Sequence, residues 1–409
     1  MPSRCDIALV GGGIVGLATA LALVERAPDL RLAVLEKEAD VGRHQTGHNS
    51  GVIHSGLYYQ PGSAKARLCV EGGRLLRAFC ARWGVPVDEC GKVVVATDAA
   101  EAVRLETLYA RGVANGVGRL ELLSPERLRE IEPHAAGVRA LWSPTTAIVD
   151  FQQVARAMAA ELRRRGVEIA TASPVVGLRR LPGGFVLQTP RAEVEARWLV
   201  NCAGLYSDVV ARMAGARPPV RIVPFRGEYY LLRPERQHLV RGLIYPVPDP
   251  RFPFLGVHLT RTIHGRVEAG PNAVLALARE GYTVWRVHPA EVAVMLAYPG
   301  FWRMARRYWR TGLVEVARSL SARAFVRALR RLVPALRPAD VVRAGAGVRA
   351  QAVRADGTLE DDFRIQATAD AIHVLNAPSP AATSALAIGR HIAALAETAF
   401  GFAPAAAGG

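Results

Sequence analysis

The longest run of apolar positions lies near the start of the chain, from Ile7 to Val24, with Thr19 as its only interruption. Its 18 residues approach the length of a membrane-spanning helix. A secretory signal is a second possibility, but acidic Asp6 stands in the leader and no small-residue cleavage site is present. Glycines at positions 11, 12, 13 and 16 interrupt the run and favour a third structure: a strand, a tight turn and a helix.

The hydrophobic pattern beyond the glycines agrees with this third structure, because strand-length apolar stretches stand on both sides of a helix-length one. The predicted elements are, in order, a strand over residues 6–10, the glycine turn Gly11-x-Gly13-x-x-Gly16, a helix to about Arg26, and a strand over residues 31–35 that ends at Glu36. Elements in this order form the βαβ unit that binds dinucleotides.

Each residue of the glycine motif has a physical role in such a site. Gly11 makes the tight turn, Gly13 lets the backbone approach a pyrophosphate, and Gly16 lets helix and strand pack closely. The helix N-terminus presents unpaired N–H groups to the phosphates. Glu36, 20 residues past Gly16, is placed to bond the ribose hydroxyls of an adenosine. The acid disfavours a 2′-phosphate but leaves NAD and FAD open, and an ordinary βαβ turn is the alternative without a ligand.

The later part of the chain has a different pattern. Stretches at 91–97, 227–232 and 253–261 are rich in β-branched and aromatic residues, which is typical of strands in an antiparallel sheet. Frequent proline and glycine over 244–256 predicts loops between them. Residues 151–165 have apolar positions at helical spacing, which predicts one more core-packed helix.

Length and composition narrow the class of protein. At 409 residues the chain exceeds the size of most single cores, so two domains are expected. The net charge of +16 raises the possibility of nucleic acid or an anionic membrane as a partner. However, only Lys37, Lys65 and Lys92 are lysines among the 52 basic residues, a bias typical of GC-rich coding that raises arginine everywhere.

The cysteines bear on compartment and metal binding. They number five, without C-x-x-C spacing, which disfavours both a disulfide framework and a zinc site. Free thiols in a reducing compartment are expected instead. The protein is therefore predicted to be intracellular and to bind no metal; the cysteines are Cys5, Cys69, Cys80, Cys90 and Cys202.

The segment "KEADVGRHQTGHNSGVIHSGLYYQPGS" at 37–63 follows neither a helical nor a strand period. Its glycines allow close backbone approach, and Thr46, Asn49 and Ser50 are short hydrogen-bonding side chains. The stretch "HQTGHNSGVIHSGLYY" resembles the flavin loop of the L-2-hydroxyglutarate dehydrogenases (also called oxidases), FAD enzymes of the D-amino-acid-oxidase-like superfamily. Further blocks resemble that family in order and spacing: "PFRGEYYLL" (224–232), "LIYPVPDPRFPFLGVHLTR" (243–261), "GPNAVLALAREGY" (270–282), "AGVRAQAV" (346–353) and "NAPSPAATSALAIG" (376–389).

The resemblance implies a two-domain α/β (α+β) flavoprotein with a discontinuous chain path. A Rossmann-like FAD-binding domain is expected from residues 1–86, 150–218 and 340–409. A substrate domain around an antiparallel sheet is expected from residues 87–149 and 219–339. "NCAGLYSD" at 201–208 has the strand-then-glycine character of backbone that passes the cofactor.

The resemblance also implies which residues contact FAD. They include the glycine motif, the flavin loop and the closing block, where a helix beginning near Ala381 would point its N-terminus at the flavin's pyrimidine edge. The alternative for this block is a capped C-terminal helix. The expected cofactor residues are Gly11, Gly13, Gly16, Glu36, Lys37, Thr46, His48, Asn49, Ser50, Gly204, Ser379, Pro380, Ala381, Ala382 and Thr383.

The activity implied is the oxidation of L-2-hydroxyglutarate, a 2-hydroxy dicarboxylate, to 2-oxoglutarate. Arg349, in "AGVRAQAV", matches the arginine that the superfamily places above the flavin for the α-carboxylate. His258 and His54 are both candidates for the base that accepts the hydroxyl proton, with His258 preferred, whereas His48 is expected to bond the flavin or a carbonyl. Residues available for the second carboxylate remain unranked: Arg226, Tyr229, Tyr245, Asn272 and Arg261.

Residues 301–331 form a basic, aromatic stretch with one acid, Glu315. If helical, it places Phe301 and Met304 on one face and several arginines opposite, with Trp302 and Trp309 near the boundary. Such a helix can lie in an anionic membrane surface, or it can simply cover the substrate sheet. With the family's respiratory coupling, this favours quinone as electron acceptor and the inner face of the cell membrane as a location for an otherwise cytoplasmic protein.

Two rival functions are also consistent with these observations. One is another oxidase or dehydrogenase of the superfamily, acting on an amino acid, an amine or glycerol 3-phosphate. The other is a basic flavoprotein that binds RNA. No segment resembles a nucleic-acid-binding module, so nucleic acid is not expected as a partner.

Overall fold

The computed structural model describes residues 3–249 and 255–402. Over these residues the chain forms twenty strands in three sheets. In chain order they are β1 (Arg4–Val10), β2 (Leu32–Leu35), β3 (Val52–Ile53), β4 (Val87–Asp88), β5 (Lys92–Ala96), β6 (Glu121–Leu123), β7 (Arg139–Ser143), β8 (Ala147–Val149), β9 (Glu168–Ala170), β10 (Gly177–Leu181), β11 (Gly184–Gln188), β12 (Glu193–Asn201), β13 (Val220–Leu232), β14 (Leu243–Pro246), β15 (His258–Arg261), β16 (Val267–Gly270), β17 (Val274–Leu275), β18 (Val341–Arg354), β19 (Arg364–Ala367) and β20 (Ala371–Asn376).

Four of the helices in the described residues begin at capping residues that the sequence carries. The side chains of Ser63, Asp98, Ser124 and Asp150 each accept a backbone N–H in the first turn of the helix that follows. The helices are α1 (Ile14–Arg26), α2 (Ala64–Trp83), α3 (Ala99–Ala114), α4 (Pro125–Ile131), α5 (Phe151–Arg164), α6 (Ser207–Met213), α7 (Pro289–Leu296), α8 (Pro299–Leu320), α9 (Ala322–Leu329) and α10 (Ala385–Phe400).

The first sheet contains the predicted βαβ unit. β1 pairs in parallel with β2 on one side and with β12 on the other, and α1 connects β1 to β2. β9 extends this parallel sheet beyond β2, while β20 pairs in parallel with the end of β12. The prediction of a strand, turn, helix and strand in the first 36 residues is therefore confirmed.

The core of this part lies between the first sheet and the helices α1, α5 and α10. α1 is buried over nearly its whole length, which explains why its sequence is apolar on all sides. A side chain at Gly389 of α10 would lie 2.5 Å from the backbone of Ala18, so glycine permits the close packing of α1 on α10. Within the described residues, no helix has the length and apolarity needed to cross a membrane.

The second sheet is mainly antiparallel, as predicted. Its strand order is β17-β13-β16-β15-β14-β5-β7-β6, with β18 paired along β13. One pair is parallel: β14 lies beside β5, and Leu243 is opposite Lys92. A separate small sheet joins β3, β8 and β4.

Several predicted boundaries differ from the structure. The segment 340–409 was expected in one domain, but β18 belongs to the second sheet because it pairs with β13 from Val220 to Leu232. Residues 403–409 of that segment lie outside the described residues. The predicted strand 253–261 is observed only over His258–Arg261, and residues 253–254 also lie outside the described residues.

Two helix predictions are corrected as well. The stretch 301–331 is not one helix: α8 ends at Leu320, and Ser321 caps the new helix α9 by accepting the N–H of Ala324. The C-terminal helix begins at Ala385 and not near Ala381, since residues 381–384 form a turn. By contrast, the helix predicted over 151–165 is confirmed as α5.

Candidate active site

The glycine turn between β1 and α1 has the geometry expected of a dinucleotide-binding motif. Gly11 has a φ of +111°, and a Cβ there would lie 2.4 Å from the carbonyl oxygen of Cys202. A Cβ on Gly16 would lie 2.1 Å from the carbonyl oxygen of Gly11, so close packing of helix and strand requires glycine. At Gly13 the nearest protein atom is the Thr46 hydroxyl oxygen, 3.5 Å away, which leaves this position open.

The N-terminus of α1 is suited to an anion. Gly13 provides no side-chain cap, and the first turn has no acidic residue. The hydroxyl of Thr46 accepts the N–H of Ile14 at 3.1 Å. Next to this turn, the buried carboxylate of Glu36 accepts the N–H groups of Gly12 (2.7 Å) and Glu38 (2.8 Å). An open, positively polarised helix end beside a fixed acid fits the pyrophosphate and ribose of a dinucleotide.

The flavin-loop residues have distinct surroundings. Asn49 braces the loop, because its amide donates to the carbonyls of Gln45 and Thr46 while its side-chain oxygen accepts the N–H of Gly51. The exposed His48 packs on Tyr282, with ring centroids 4.6 Å apart. The Ser50 side chain hydrogen-bonds the hydroxyl of Tyr245. Because Tyr245 is on β14, this bond connects the loop to the second sheet.

Lys37 has carboxylate partners of its own. Its ammonium pairs with Glu38 and, at 2.5 Å, with Glu280, and it lies 2.6 Å from Nε2 of His44. Burial opposes the charge of Lys37, but the hydrogen bonds that its ammonium donates to Glu280 and Glu38 outweigh this effect and raise the pKa of Lys37. Over the described residues, Glu38, His44 and Glu280 are the one group with the spacing of metal ligands, and the lysine already supplies the cation there.

The closing block packs against the flavin loop. The hydroxyl of Thr383 accepts the N–H of His54 at 3.0 Å and donates to the carbonyl of Val52 at 3.3 Å. The side chain of Ser379 hydrogen-bonds Tyr59. Pro380, Ala381 and Ala382 lie in the turn between these two residues. Gly204, with a φ of +54°, faces the side chain of Gln45, so the third segment that was predicted to contact the cofactor reaches the same loop.

Arg349 lies on β18, opposite Phe225 of β13. Its Nη1 donates to the carbonyl of Asn272 at 3.0 Å, which holds one side of the guanidinium. Its charge acts on both Tyr229 and His258, so these groups share one region. Burial raises the pKa of Tyr229 to about 12, and the charge of Arg349 opposes that rise.

His258 is held in one tautomer. Its Nδ1 lies 3.0 Å from the carbonyl of Gly256, and a carbonyl oxygen can only accept, so Nδ1 carries the proton and Nε2 keeps its lone pair. The ring stacks on Tyr245 at 3.9 Å. Burial lowers the pKa of His258 to about 4, and the charges of Arg349 and Lys92 act in the same direction.

His54 lies near His258 and Lys92. Its Nδ1 is buried and has no hydrogen-bond partner among the described residues. Burial lowers the pKa of His54 to about 3, with smaller contributions from Lys92 and His258. Both candidate bases are therefore neutral at physiological pH, and both lie in the field of the same lysine.

Lys92 is a buried cation of this region that no sequence motif pointed to. It is the first residue of β5, its exposed fraction is 0 %, and its Nζ has no hydrogen-bond partner within the described residues. The ammonium lies 4.4 Å from the ring centroid of Tyr58 and 5.2 Å from that of Tyr245. Its rarity was the available signal, since lysine is used three times in a chain of 52 basic residues.

Three of the proposed substrate residues are already engaged. The guanidinium of Arg226 bonds the Glu228 carboxylate at 3.0 Å, and Arg261 pairs with Asp88. The side chain of Asn272 accepts the N–H of Glu228 and donates to its carboxylate at 3.0 Å. The polar side chains linked by the contacts above form a group that we call the cationic cluster: His54, Tyr58, Lys92, Tyr229, Tyr245, His258 and Arg349. Glu315 acts on Arg349 and Glu268 acts on Tyr229, whereas Lys92 has no ion pair among the described residues.

Comparison with known proteins identifies the class of this enzyme. The chain belongs to the FAD-dependent oxidoreductase family, whose model matches residues 6–395. Solved structures share the fold: an L-α-glycerophosphate oxidase from Mycoplasma pneumoniae with FAD bound has a TM-score of 0.79 at 22 % identity, covering 99 % of this chain and 96 % of that one. Glycine oxidase from Geobacillus kaustophilus has a TM-score of 0.71 at 18 % identity, with 97 % and 95 % covered. FAD is therefore the cofactor, and the expected two-domain flavoprotein fold is confirmed.

Within this family the most informative relatives are L-2-hydroxyglutarate dehydrogenases. That of Indibacter alkaliphilus is 49 % identical over 94 % of this chain and 96 % of its own length. The enzyme of Escherichia coli K12 is 46 % identical, with 96 % and 93 % covered. The human mitochondrial enzyme is 44 % identical, with 96 % and 88 % covered. The resemblance deduced from the sequence blocks is thus confirmed.

Proposed function

We propose that this FAD-dependent oxidoreductase converts L-2-hydroxyglutarate to 2-oxoglutarate. The observation that carries the proposal is the cationic cluster, which joins two basic side chains and two neutral histidines beside the flavin loop. The ammonium of Lys92 is buried in this cluster without a hydrogen-bond partner among the described residues. Burying a positive charge without an opposite one is costly, so the cluster favours an anionic substrate. The similarity to the dehydrogenases named above supports the specific hydroxy acid.

One set of residues would bind FAD, and another would bind the substrate. The N-terminus of α1 with Gly13 would hold the pyrophosphate, Glu36 the ribose, and the turn at 379–383 with the loop from Thr46 to Ser50 the flavin ring. When bound, FAD supplies the oxidising power by accepting a hydride from the substrate. The residues of the cationic cluster then have to bind the carboxylates, orient the α-carbon and take the hydroxyl proton.

Arg349 and His258 would have separate roles in this step. The guanidinium of Arg349 binds the α-carboxylate through its planar fork, while Asn272 fixes its orientation from behind. Nε2 of His258 accepts the hydroxyl proton, since its tautomer leaves that lone pair free. A dicarboxylate brings two negative charges to the cluster and thereby raises the pKa of His258 from its low value towards neutrality.

The test is reduction of the flavin without oxygen. Purified holoenzyme is mixed anaerobically with the L and D forms of 2-hydroxyglutarate, with L-2-hydroxypentanoate, with glycerol 3-phosphate and with glycine, and the flavin absorbance is followed. We expect rapid bleaching with L-2-hydroxyglutarate and slow or no bleaching with the others. Faster bleaching by glycerol 3-phosphate or glycine would assign the enzyme to another branch of the superfamily.

We further infer that the reduced enzyme passes its electrons to a quinone at an anionic membrane. The indole of Trp285, in the segment before α7, is exposed, as are those of Trp302 and Trp309 on α8. We define the basic–aromatic surface as Trp302 and Trp309 together with the exposed arginines of α8. The three indoles are exposed by 88 %, 57 % and 55 %, which is unusual for tryptophan. Aromatic rings among arginines suit the headgroup region, so a cytoplasmic protein bound to the inner face of the cell membrane is the location we propose.

A further inference from the structure

We propose that Lys92 binds the distal carboxylate of the substrate and sets the preference for dicarboxylic over monocarboxylic 2-hydroxy acids. The inference deepens the proposed function and rests on it. It begins from the position of the lysine, at the start of a strand in the middle of the second sheet. There the side chain is fully buried, and its ammonium has no hydrogen-bond partner among the described residues.

The three lysines of the chain differ in their partners. Lys37 pairs with Glu38 and Glu280, and Lys65 pairs with Asp361 at 2.9 Å. Lys92 has instead only the faces of two tyrosine rings, and no ion pair within the described residues joins it to a carboxylate. A buried ammonium is stabilised by an opposite charge far more than by aromatic rings alone, so its surroundings suit an anion supplied from outside.

Lys92 also lies near both candidate bases. Its charge acts on both His54 and His258, and the charge of Arg349 acts on His258 from its own position on β18. Tyr245 stacks on His258 and also lies under Lys92, so one side chain contacts both. Two cations around one proton acceptor match a substrate that has a carboxylate at each end and a hydroxyl near one of them.

The other cations proposed for this carboxylate have protein partners. Arg226 is neutralised by Glu228, and Arg261 is neutralised by Asp88. Adding a substrate carboxylate to either arginine would compete with an existing ion pair. Binding to Lys92 would not compete in this way, and it would give the buried ammonium an opposite charge.

The test compares two product-type ligands that differ only in the distal group. Oxidised holoenzyme is titrated with 2-oxoglutarate and with 2-oxopentanoate, and dissociation constants are taken from flavin difference spectra or calorimetry. We expect Lys92→Met to raise the dissociation constant of 2-oxoglutarate by about 10²-fold, and that of 2-oxopentanoate by less than about threefold. In kinetics the change should raise KM for L-2-hydroxyglutarate more than it lowers kcat.

Several results would overturn the inference. Equal weakening of both ligands would mean that Lys92 has a general structural role, and a fall in kcat with unchanged dissociation constants would make it the base. If wild-type enzyme itself does not prefer 2-oxoglutarate, the proposed function fails; if it does and Lys92→Met retains the preference, only the role of Lys92 fails.

A measurement on the wild-type enzyme covers the case in which the variant does not fold. Burial lowers the pKa of Lys92 to about 7. The groups that face it from other elements titrate elsewhere: His54 and His258 have pKa values of about 3 and 4, Cys69 about 12, and the pKa values of Tyr58 and Tyr245 are raised. The preference for 2-oxoglutarate should therefore fall as pH rises from 7 to 9, because the free lysine loses its proton. A preference that stays constant over this range contradicts the inference.

Discussion

The imidazole of His258 stacks on the phenol ring of Tyr245, with ring centroids 3.9 Å apart and an angle of 30° between the planes. The stack and the hydrogen bond from Nδ1 to Gly256 together fix the ring's position and its tautomer. An imidazole held in this way can accept a proton at Nε2 without first reorienting.

Replacing His258 tests its role as base. We expect His258→Ala to lower kcat by about 10²–10⁴, with KM less affected, because the residue would act only as the hydroxyl proton leaves. Flavin content should stay near that of wild type, since the ring contacts Tyr245 and Gly256 rather than the cofactor turn. Steady-state kinetics and the absorbance ratio of flavin to protein provide the two measurements.

His54→Ala is the matched comparison for this variant. The charge of Lys92 acts on both histidines, so both changes remove a neutral ring from the same field. If kcat collapses in His54→Ala with flavin retained, and His258→Ala changes little, then the base lies in the flavin loop and the assignment to His258 is wrong.

Replacing Arg349 separates charge from geometry. Arg349→Lys keeps the positive charge but loses the planar fork and the bond from Nη1 to Asn272. KM for L-2-hydroxyglutarate should rise by more than tenfold, or about 1.4 kcal/mol of binding, with a smaller fall in kcat from poorer orientation of the α-carbon. A change confined to kcat, with KM untouched, would remove Arg349 from the carboxylate site.

A pair of glycine variants tests the cofactor turn. At Gly13 the nearest protein atom to an added Cβ is 3.5 Å away, so Gly13→Val leaves the protein packing intact while filling the space proposed for the pyrophosphate. We expect folded, colourless protein. At Gly16 an added Cβ lies 2.1 Å from a backbone oxygen, so Gly16→Val should lose stability as well as flavin.

Circular dichroism melting and flavin absorbance distinguish the two outcomes. A yellow, fully loaded Gly13→Val protein would refute the assignment of the pyrophosphate to this turn. Flavin should be released by acid precipitation, because we expect it to be noncovalent, and colour retained in the pellet would contradict that expectation.

Liposome flotation tests the basic–aromatic surface. The wild-type protein should float with anionic vesicles and less so in high salt, because exposed charges are screened. Replacing Arg303, Arg306, Arg307 and Arg310 by glutamine should weaken this association strongly. A control variant replaces four exposed arginines on other elements, Arg67, Arg74, Arg163 and Arg191, and should float like wild type. Equal behaviour of the two variants would leave α8 as an ordinary covering helix.

The first 36 residues show what the sequence by itself determined. The strand, the glycine turn and the helix α1 follow from local patterns, since hydrogen bonds and glycine geometry act between near neighbours. Arg349 was also found from the sequence, because the block around it resembles the family. Arg226 and Glu228 are two residues apart on one strand, so their side chains lie on the same face. The sequence could therefore have predicted that Arg226 is paired and not available for a substrate carboxylate.

Only the tertiary structure decided the environment of Lys92. Its place beside Tyr245 depends on the parallel pairing of β5 with β14, strands about 150 residues apart in sequence. The assignment of β18 to the second sheet depends in the same way on pairing with β13. Apolar periodicity shows which face of a strand is buried but not which strand lies beside it. Burial and distant charge then set the protonation of His54, Lys92 and His258, and these arise only when the sheets assemble.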